Sequence, residues 1–222
     1  MIDFCTAYMS LIPLKCSHKY IYRPFYPNNT HLFEIKSIIA KIPKILFPNM
    51  KNFIYDEATI AFVTAAAQTC LLIEKSSEHE REEWREQMLR LLPVLYLRAR
   101  LLNQEEELAD EEPQRFVTEE DYTYALVGIR ELMGSDDAYL DVFVDQGVYT
   151  DEVQTAYISE NLADIYQELK DLAAGFQTGN ETIMHDAVVV CREAFKEHWG
   201  QKTLAVMRAL HALDNLDYKE KL

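Results

Sequence analysis

From Met50 onward, apolar residues recur at steps of three and four, the period of a helix with one face packed on a core. The first such run covers residues 53–76 and turns Ala58, Phe62, Ala65, Thr69 and Leu72 inward. Its Ala65-Ala66-Ala67 stretch lets a neighbouring helix approach closely. The second covers residues 80–102 and is carried by Trp84, Met88, Leu91, Leu92, Leu95, Ala99 and Leu102. Pro93 lies inside it and is expected to kink it, because the ring clashes with the Leu89 carbonyl. An acidic loop over residues 103–115 follows, closed by Pro113. Thr118 then opens a third helix as its N-cap, with Glu119, Glu120 and Asp121 in the positive first turn. Tyr122, Ala125, Leu126, Ile129, Leu132 and Met133 form its apolar stripe, and Gly134 stops it.

The pattern breaks over residues 135–151. Residues 139–144 and 148–150 are β-prone around Asp145-Gln146-Gly147, which leaves a short hairpin open, but an irregular connection is the expectation. Helical spacing resumes over residues 151–176, 182–198 and 201–216, punctuated by Gly175, Gly179 and Gly200. There is no repeat of fixed period. The fold class is therefore all-α, an antiparallel bundle of five to six helices.

Residues 1–49 do not share this pattern. Ile, Lys, Tyr, Phe and Asn make up 24 of those 49 residues, and five of the seven prolines but none of the six glycines lie there. The chain is thus divided into residues 1–49, an atypical N-terminal extension, and residues 50–222, the all-α domain. The preferred reading takes Met50 as the natural start, with the preceding stretch read in frame from upstream DNA. The other reading is a real basic amphipathic helix over residues 31–47, with Leu32, Ile35, Ile38, Ile39 and Ile42 between Lys36, Lys41 and Lys44. Intact-mass measurement on protein from its native host separates the two.

Charge sharpens the contrast. Residues 1–49 carry six Lys/Arg against two Asp/Glu, a net of +4, and the whole chain is −15, so residues 50–222 are −19. Such a field repels phosphate backbones and anionic membrane surfaces, so neither nucleic acid nor membrane is an expected partner of this part. Cys70 and Cys191 sit on apolar helical faces, where free cysteine acts as a small hydrophobe. No cysteine pair stands at zinc spacing, and four unpaired thiols suit a reducing cytoplasm. No apolar run reaches the roughly 20 residues needed to span a bilayer. A cytoplasmic location without cofactor is the expectation.

Candidate chemistry is sparse. Glu160, Asp164, Glu168 and Asp171 stack at helical spacing, as metal-binding carboxylates do, but the wheel puts them opposite the apolar face, as a solvated surface. No metal is expected. The alternative is Glu82, Glu83 and Glu86 with Glu107 and Asp110, a pattern that resembles the magnesium-binding carboxylates of all-α MazG-type nucleotide pyrophosphohydrolases. Arg192 and His198 resemble the Arg/His signature of HEPN-type helical ribonucleases, a weaker possibility. His198 also falls near the apolar direction of its helix, so it is the one polar group expected to point inward, at a candidate polar corner with Trp199 and Tyr166. His185 and His211 lie off the apolar faces. No catalytic residue is assigned.

One resemblance covers most of the domain. The run Ser159-Glu160-Asn161-Leu162-Ala163-Asp164-Ile165-Tyr166-Gln167-Glu168-Leu169-Lys170-Asp171 resembles an uncharacterised bacterial helical family, DUF5063-like. So do Tyr139-Leu140-Asp141-Val142-Phe143, His198-Trp199-Gly200 and Arg208-Ala209-Leu210-His211. The resemblance implies an all-α fold and a bacterial cytoplasmic setting, with no activity to carry over. The expected role is a non-catalytic helical module for a protein partner or self-association. The alternative is a metal-dependent hydrolase or nucleotide-binding domain.

Overall fold

A computed structural model describes residues 53–103, 107–109, 113–145 and 148–220. The extension expected over residues 1–49 lies outside them. Among the described residues there are six α-helices and one β-hairpin. The helices are α1 (Glu57–Glu74), α2 (Arg81–Arg100), α3 (Glu119–Met133), α4 (Ile158–Gln177), α5 (Glu181–Ala194) and α6 (Gly200–Glu220). The all-α expectation holds.

Local chemistry sets several helix ends. Asp56 caps α1 by accepting the Thr59 amide at 2.6 Å. Thr118 and Asp121 form a reciprocal capping box at the start of α3, as the Thr118 cap predicts. Gly134 ends α3 at φ 56, a conformation that side chains other than glycine adopt at a cost. Pro93 sits within α2, which stays helical on both sides of it.

Residues 135–151 correct the irregular connection. They belong to a short 3-10 turn (Gly134–Asp137) and an antiparallel hairpin of β1 (Ala138–Asp145) and β2 (Val148–Tyr157). Ala138 pairs with Tyr157 and Val142 with Val153, and the register shifts between Val142 and Val144. Gln146 and Gly147 lie outside the described residues. β2 also claims residues 151–157, which helical spacing had assigned to the next helix. The true start of α4 is set from a distance. Asp137 accepts the Ser159 amide and hydroxyl, each at 2.7 Å, and so supplies the cap that Tyr157 does not.

α4 lies at the centre and packs against α1, α3, α5 and α6. Its Leu162, Ile165, Leu169 and Leu172 are fully buried. Trp84 of α2 and Trp199 are buried too, and each indole finds a backbone carbonyl, Leu72 and Cys191 respectively, both at 2.9 Å. α2 and α6 run antiparallel, because Arg85 pairs with Asp214 near one end while Tyr96 meets Phe195 edge-on near the other. Among the described residues, α1 alone is long and apolar enough to cross a membrane, by length and composition, and half of it is buried in this fold.

Residues 195–199 form a single π turn joining α5 to α6. The chain does not break at Gly200, which stays helical at φ −62 and ψ −42 and donates its amide to the Phe195 carbonyl five residues back. A Cβ on Gly200 would stand 2.5 Å from that carbonyl oxygen. Gly200 is there for the close approach, not as a stop.

Candidate functional site

The carboxylates of α4 gather most of the interacting charge. Glu160 accepts from Arg130 of α3 at 3.1 Å. Asp164 accepts the Tyr122 hydroxyl at 2.9 Å and pairs with Lys202 of α6. Glu168 and Asp171 share Arg115, whose guanidinium reaches them at 2.9 and 3.0 Å. The other oxygen of Asp171 accepts the amides of Phe116 and Val117 at 2.6 and 2.9 Å. Together the four carboxylates tie α4 to three other segments: α3, α6 and the loop entering α3.

This corrects the solvated-face reading. Glu160 does face water, but the side chains of Glu168 and Asp171 are 8% and 9% exposed. A wheel separates one apolar face from one polar face. α4 is enclosed on several sides, so its polar side is covered as well, and its charges have to be paired. Burial works against the Arg115 charge, but its bonds to Glu168 and Asp171 more than offset this and hold its pKa above the ordinary arginine value. Burial, then Asp164, pushes Tyr122 up to about 12.

His198 is also corrected. It sits on the π turn with its side chain 43% exposed, and Nε2 lies 3.9 Å from Glu168 Oε1. The physical reason is the π turn itself. Its rings close over five residues rather than four, so positions beyond Ala194 lag behind a wheel of 100° per residue. The residue brought inward is Trp199, which stacks on Phe62 at 6.4 Å and meets Phe195 edge-on at 4.6 Å. Tyr166 is buried with its hydroxyl on Glu74 at 3.0 Å, where Lys170 also lands at 2.6 Å. Burial and Glu74 raise the Tyr166 pKa. His198, Trp199 and Tyr166 thus engage three separate groups.

The other nominated residues are partnered too. Glu82 meets Arg81, Glu83 meets Gln87, and Glu86 meets Arg90, all on the exposed side of α2. Asp110 lies outside the described residues, and the Ala109 amide donates to Asp186 at 2.8 Å. Among the described residues, no group of three or more His, Cys, Asp and Glu side chains could hold a metal ion. Arg192 is buried and donates to the Asn103 carbonyl at 2.6 Å, whereas His198 faces Glu168. Cys70 and Cys191 are buried, and burial raises both thiol pKa values, as inert structural thiols require.

Two features were not singled out from the sequence. Val94 and Leu97 on the C-terminal half of α2, and Leu101 at its C-cap, are 45%, 55% and 54% exposed. Their steps of three and four place them on one line. Beside them, α2 and α6 enclose an open groove of about 540 Å³, walled by Leu89, Pro93 and Met207 and edged by Arg90 and Arg208. The signal was present: Val94, Leu97 and Leu101 fall outside the Trp84–Met88–Leu95 stripe and so widen the apolar arc beyond one core face.

Comparison with known proteins gives the family. No functionally curated protein matches the chain. A crystal structure of protein BF1032 from Bacteroides fragilis, a structural-genomics target, superposes with a TM-score of 0.64 at 36% identity, covering 72% of this chain and 94% of that one. The family model described as a domain of unknown function, DUF5063, matches residues 53–215, and the chain belongs to that family.

Proposed function

We propose that the domain is a non-catalytic helical module that docks a protein partner in the cytoplasm, without a cofactor. The observation that carries this is the exposed apolar line Val94, Leu97 and Leu101. Aligned apolar side chains left in water on a folded domain mark an interaction surface more often than chance. The polar clusters support the same reading. The carboxylates of α4 are engaged with Arg130, Lys202, Arg115 and backbone amides, so their oxygens hold the fold together and are not held ready for a substrate. The net charge of −19 on residues 50–222 argues against nucleic acid as the partner.

Two measurements test this reading. Thermal unfolding is expected to stay unchanged with Mg²⁺, Mn²⁺, Zn²⁺ or nucleotides. A ligand at a hundredfold excess over its Kd adds about 2.7 kcal/mol to the folded state, so a rise of several degrees would overturn the proposal in favour of a metal- or nucleotide-dependent enzyme. A photo-crosslinking residue at Leu97, introduced in the native host, should trap a discrete protein. The same residue at the exposed Glu131 of α3 should not. Equal trapping at both positions, or none at Leu97, counts against the proposal.

A further inference from the structure

We infer that the exposed apolar line of α2 takes an acidic amphipathic helix of a partner protein, one whose apolar stripe is bordered by carboxylates on both sides. This rests on the proposed docking role and adds the partner's chemistry. At about 100° per residue, Val94, Leu97 and Leu101 lie within about 60° of one another, on the side of α2 opposite the buried Met88, Leu92 and Leu95. Arg98 stands about 40° beyond one edge of this line and Arg100 about 60° beyond the other. Both belong to the last turn of α2. The helix dipole favours cations there, but it does not account for apolar side chains left in water between them. α6 begins at this end of α2, where Tyr96 meets Phe195, and its Leu204 is 41% exposed.

Local charge selects the occupant. Among the described side chains, Arg98 and Arg100 are the only lysines or arginines outside an ion pair, although residues 50–222 carry a net charge of −19. No Asp or Glu occurs in residues 87–103 or 200–213, which face each other here. Arg90 and Arg208, toward the other end, already have Glu86 and Asp141. Exposed charges more than about 8 Å away are largely screened at physiological salt. The two guanidiniums beside the line therefore outweigh the distant carboxylates that make the domain acidic. A helix that lays apolar side chains on Val94, Leu97 and Leu101 can set a carboxylate on Arg98 and another on Arg100. A basic helix would bring like charges against both.

The test uses the full chain and a labelled amphipathic Leu/Glu peptide about five turns, or ~18 residues, long, with a Leu/Lys peptide of the same apolar pattern as control. Fluorescence anisotropy should show saturable binding of the Leu/Glu peptide and binding at least tenfold weaker for Leu/Lys. Leu97→Asp should weaken the Leu/Glu peptide at least tenfold, while Val127→Asp on α3 should not. The double variant Arg98→Glu, Arg100→Glu should reverse the preference, so that Leu/Lys binds more tightly than Leu/Glu. A reversal of this kind cannot come from unfolding. Equal binding of both peptides, a preference for Leu/Lys, or a preference unchanged by the double variant overturns the inference. So does saturable binding to phosphatidylserine vesicles or a DNA duplex that the double variant abolishes, since the arginines then serve a phosphate surface. A dimer, seen by sedimentation, that Leu97→Asp dissolves overturns it as well, since the line then belongs to a second copy. If neither peptide binds but the Leu97 cross-link still traps a discrete protein, the partner chemistry fails and the docking role stands. If the cross-link fails as well, both fall.

Discussion

Asp171 should be a costly charge to remove from this domain. It accepts two backbone amides, Phe116 and Val117, and one guanidinium, from a side chain 9% exposed. Asp171→Ala leaves both amides without an acceptor. Each orphaned buried donor costs about 1–3 kcal/mol, which gives about 2–6 kcal/mol for the pair. Phe116 and Val117 are only partly buried, so water recovers part of this, and the expected loss is about 3 kcal/mol, toward the lower end of that range. Asp171→Asn keeps an acceptor for the amides but sets a side-chain NH2 opposite Arg115 in place of the oxygen that accepts from it. Because Arg115 is 48% exposed, that pair is screened, and the expected loss is about 1 kcal/mol.

Urea unfolding followed by the fluorescence of the buried Trp84 and Trp199 measures both losses, provided the m-value stays constant. Hydrogen exchange at the Phe116 and Val117 amides locates the effect. It should accelerate in the Ala variant and stay slow in the Asn variant. If Asn costs as much as Ala, the carboxylate acts through its charge and the amide account is wrong. If Ala costs less than about 1 kcal/mol, the loop is not pinned by Asp171 at all.

Two further outcomes follow from particular contacts. Gly200→Ala in a helical backbone should gain about 1 kcal/mol of helix propensity, yet its Cβ would stand 2.5 Å from the Phe195 carbonyl oxygen, so relief of the clash should dominate and the variant should lose about 1 kcal/mol net in urea unfolding. A more stable Gly200→Ala protein would refute the need for glycine in the π turn. Tyr122 has its pKa raised from 10.0 to about 12, so the folded state holds a phenol proton that the unfolded chain releases, and its contribution is full below pH 10 and lost between pH 10 and about 12. Tyr122→Phe should therefore flatten the fall in stability across that window, read by unfolding at stepped pH alongside phenolate absorbance, and an unchanged slope would remove Tyr122 as a cause.

What the sequence shows well is what each helix does locally. The Thr118 cap, the Gly134 stop, the buried cysteines and the inward positions Phe62, Ala65, Thr69 and Leu72 are all legible from period and end chemistry. What it hides depends on partners far along the chain. The start of α4 is invisible locally because its cap is Asp137, twenty-two residues upstream of Ser159, and not a neighbour. The hairpin is left open because residues 139–144 and 148–150 are β-prone without a register that the sequence fixes, and only the pairing of Val142 with Val153 and Ala138 with Tyr157 decides for the strands. The apolar line of Val94, Leu97 and Leu101 is hidden because a wide apolar arc does not say which part of it meets water.

The two misread polar features of the site share a cause. A helical wheel assumes one buried face and a uniform 100° step, and this protein breaks each assumption once. α4 breaks the first. It is enclosed by four other helices, so Glu168 and Asp171 on its polar side are buried by the loop that Arg115 carries across them. The π turn breaks the second. It carries His198 outward and Trp199 inward, although His198 had the better apolar phase. The two departures meet at one place, because His198 Nε2 lies 3.9 Å from Glu168 Oε1. The π turn thus exchanges a histidine for a tryptophan in the core and leaves the histidine beside a carboxylate that Arg115 already satisfies. That makes the inner face of the corner an aromatic packing site, built on Phe62, Phe195 and Trp199.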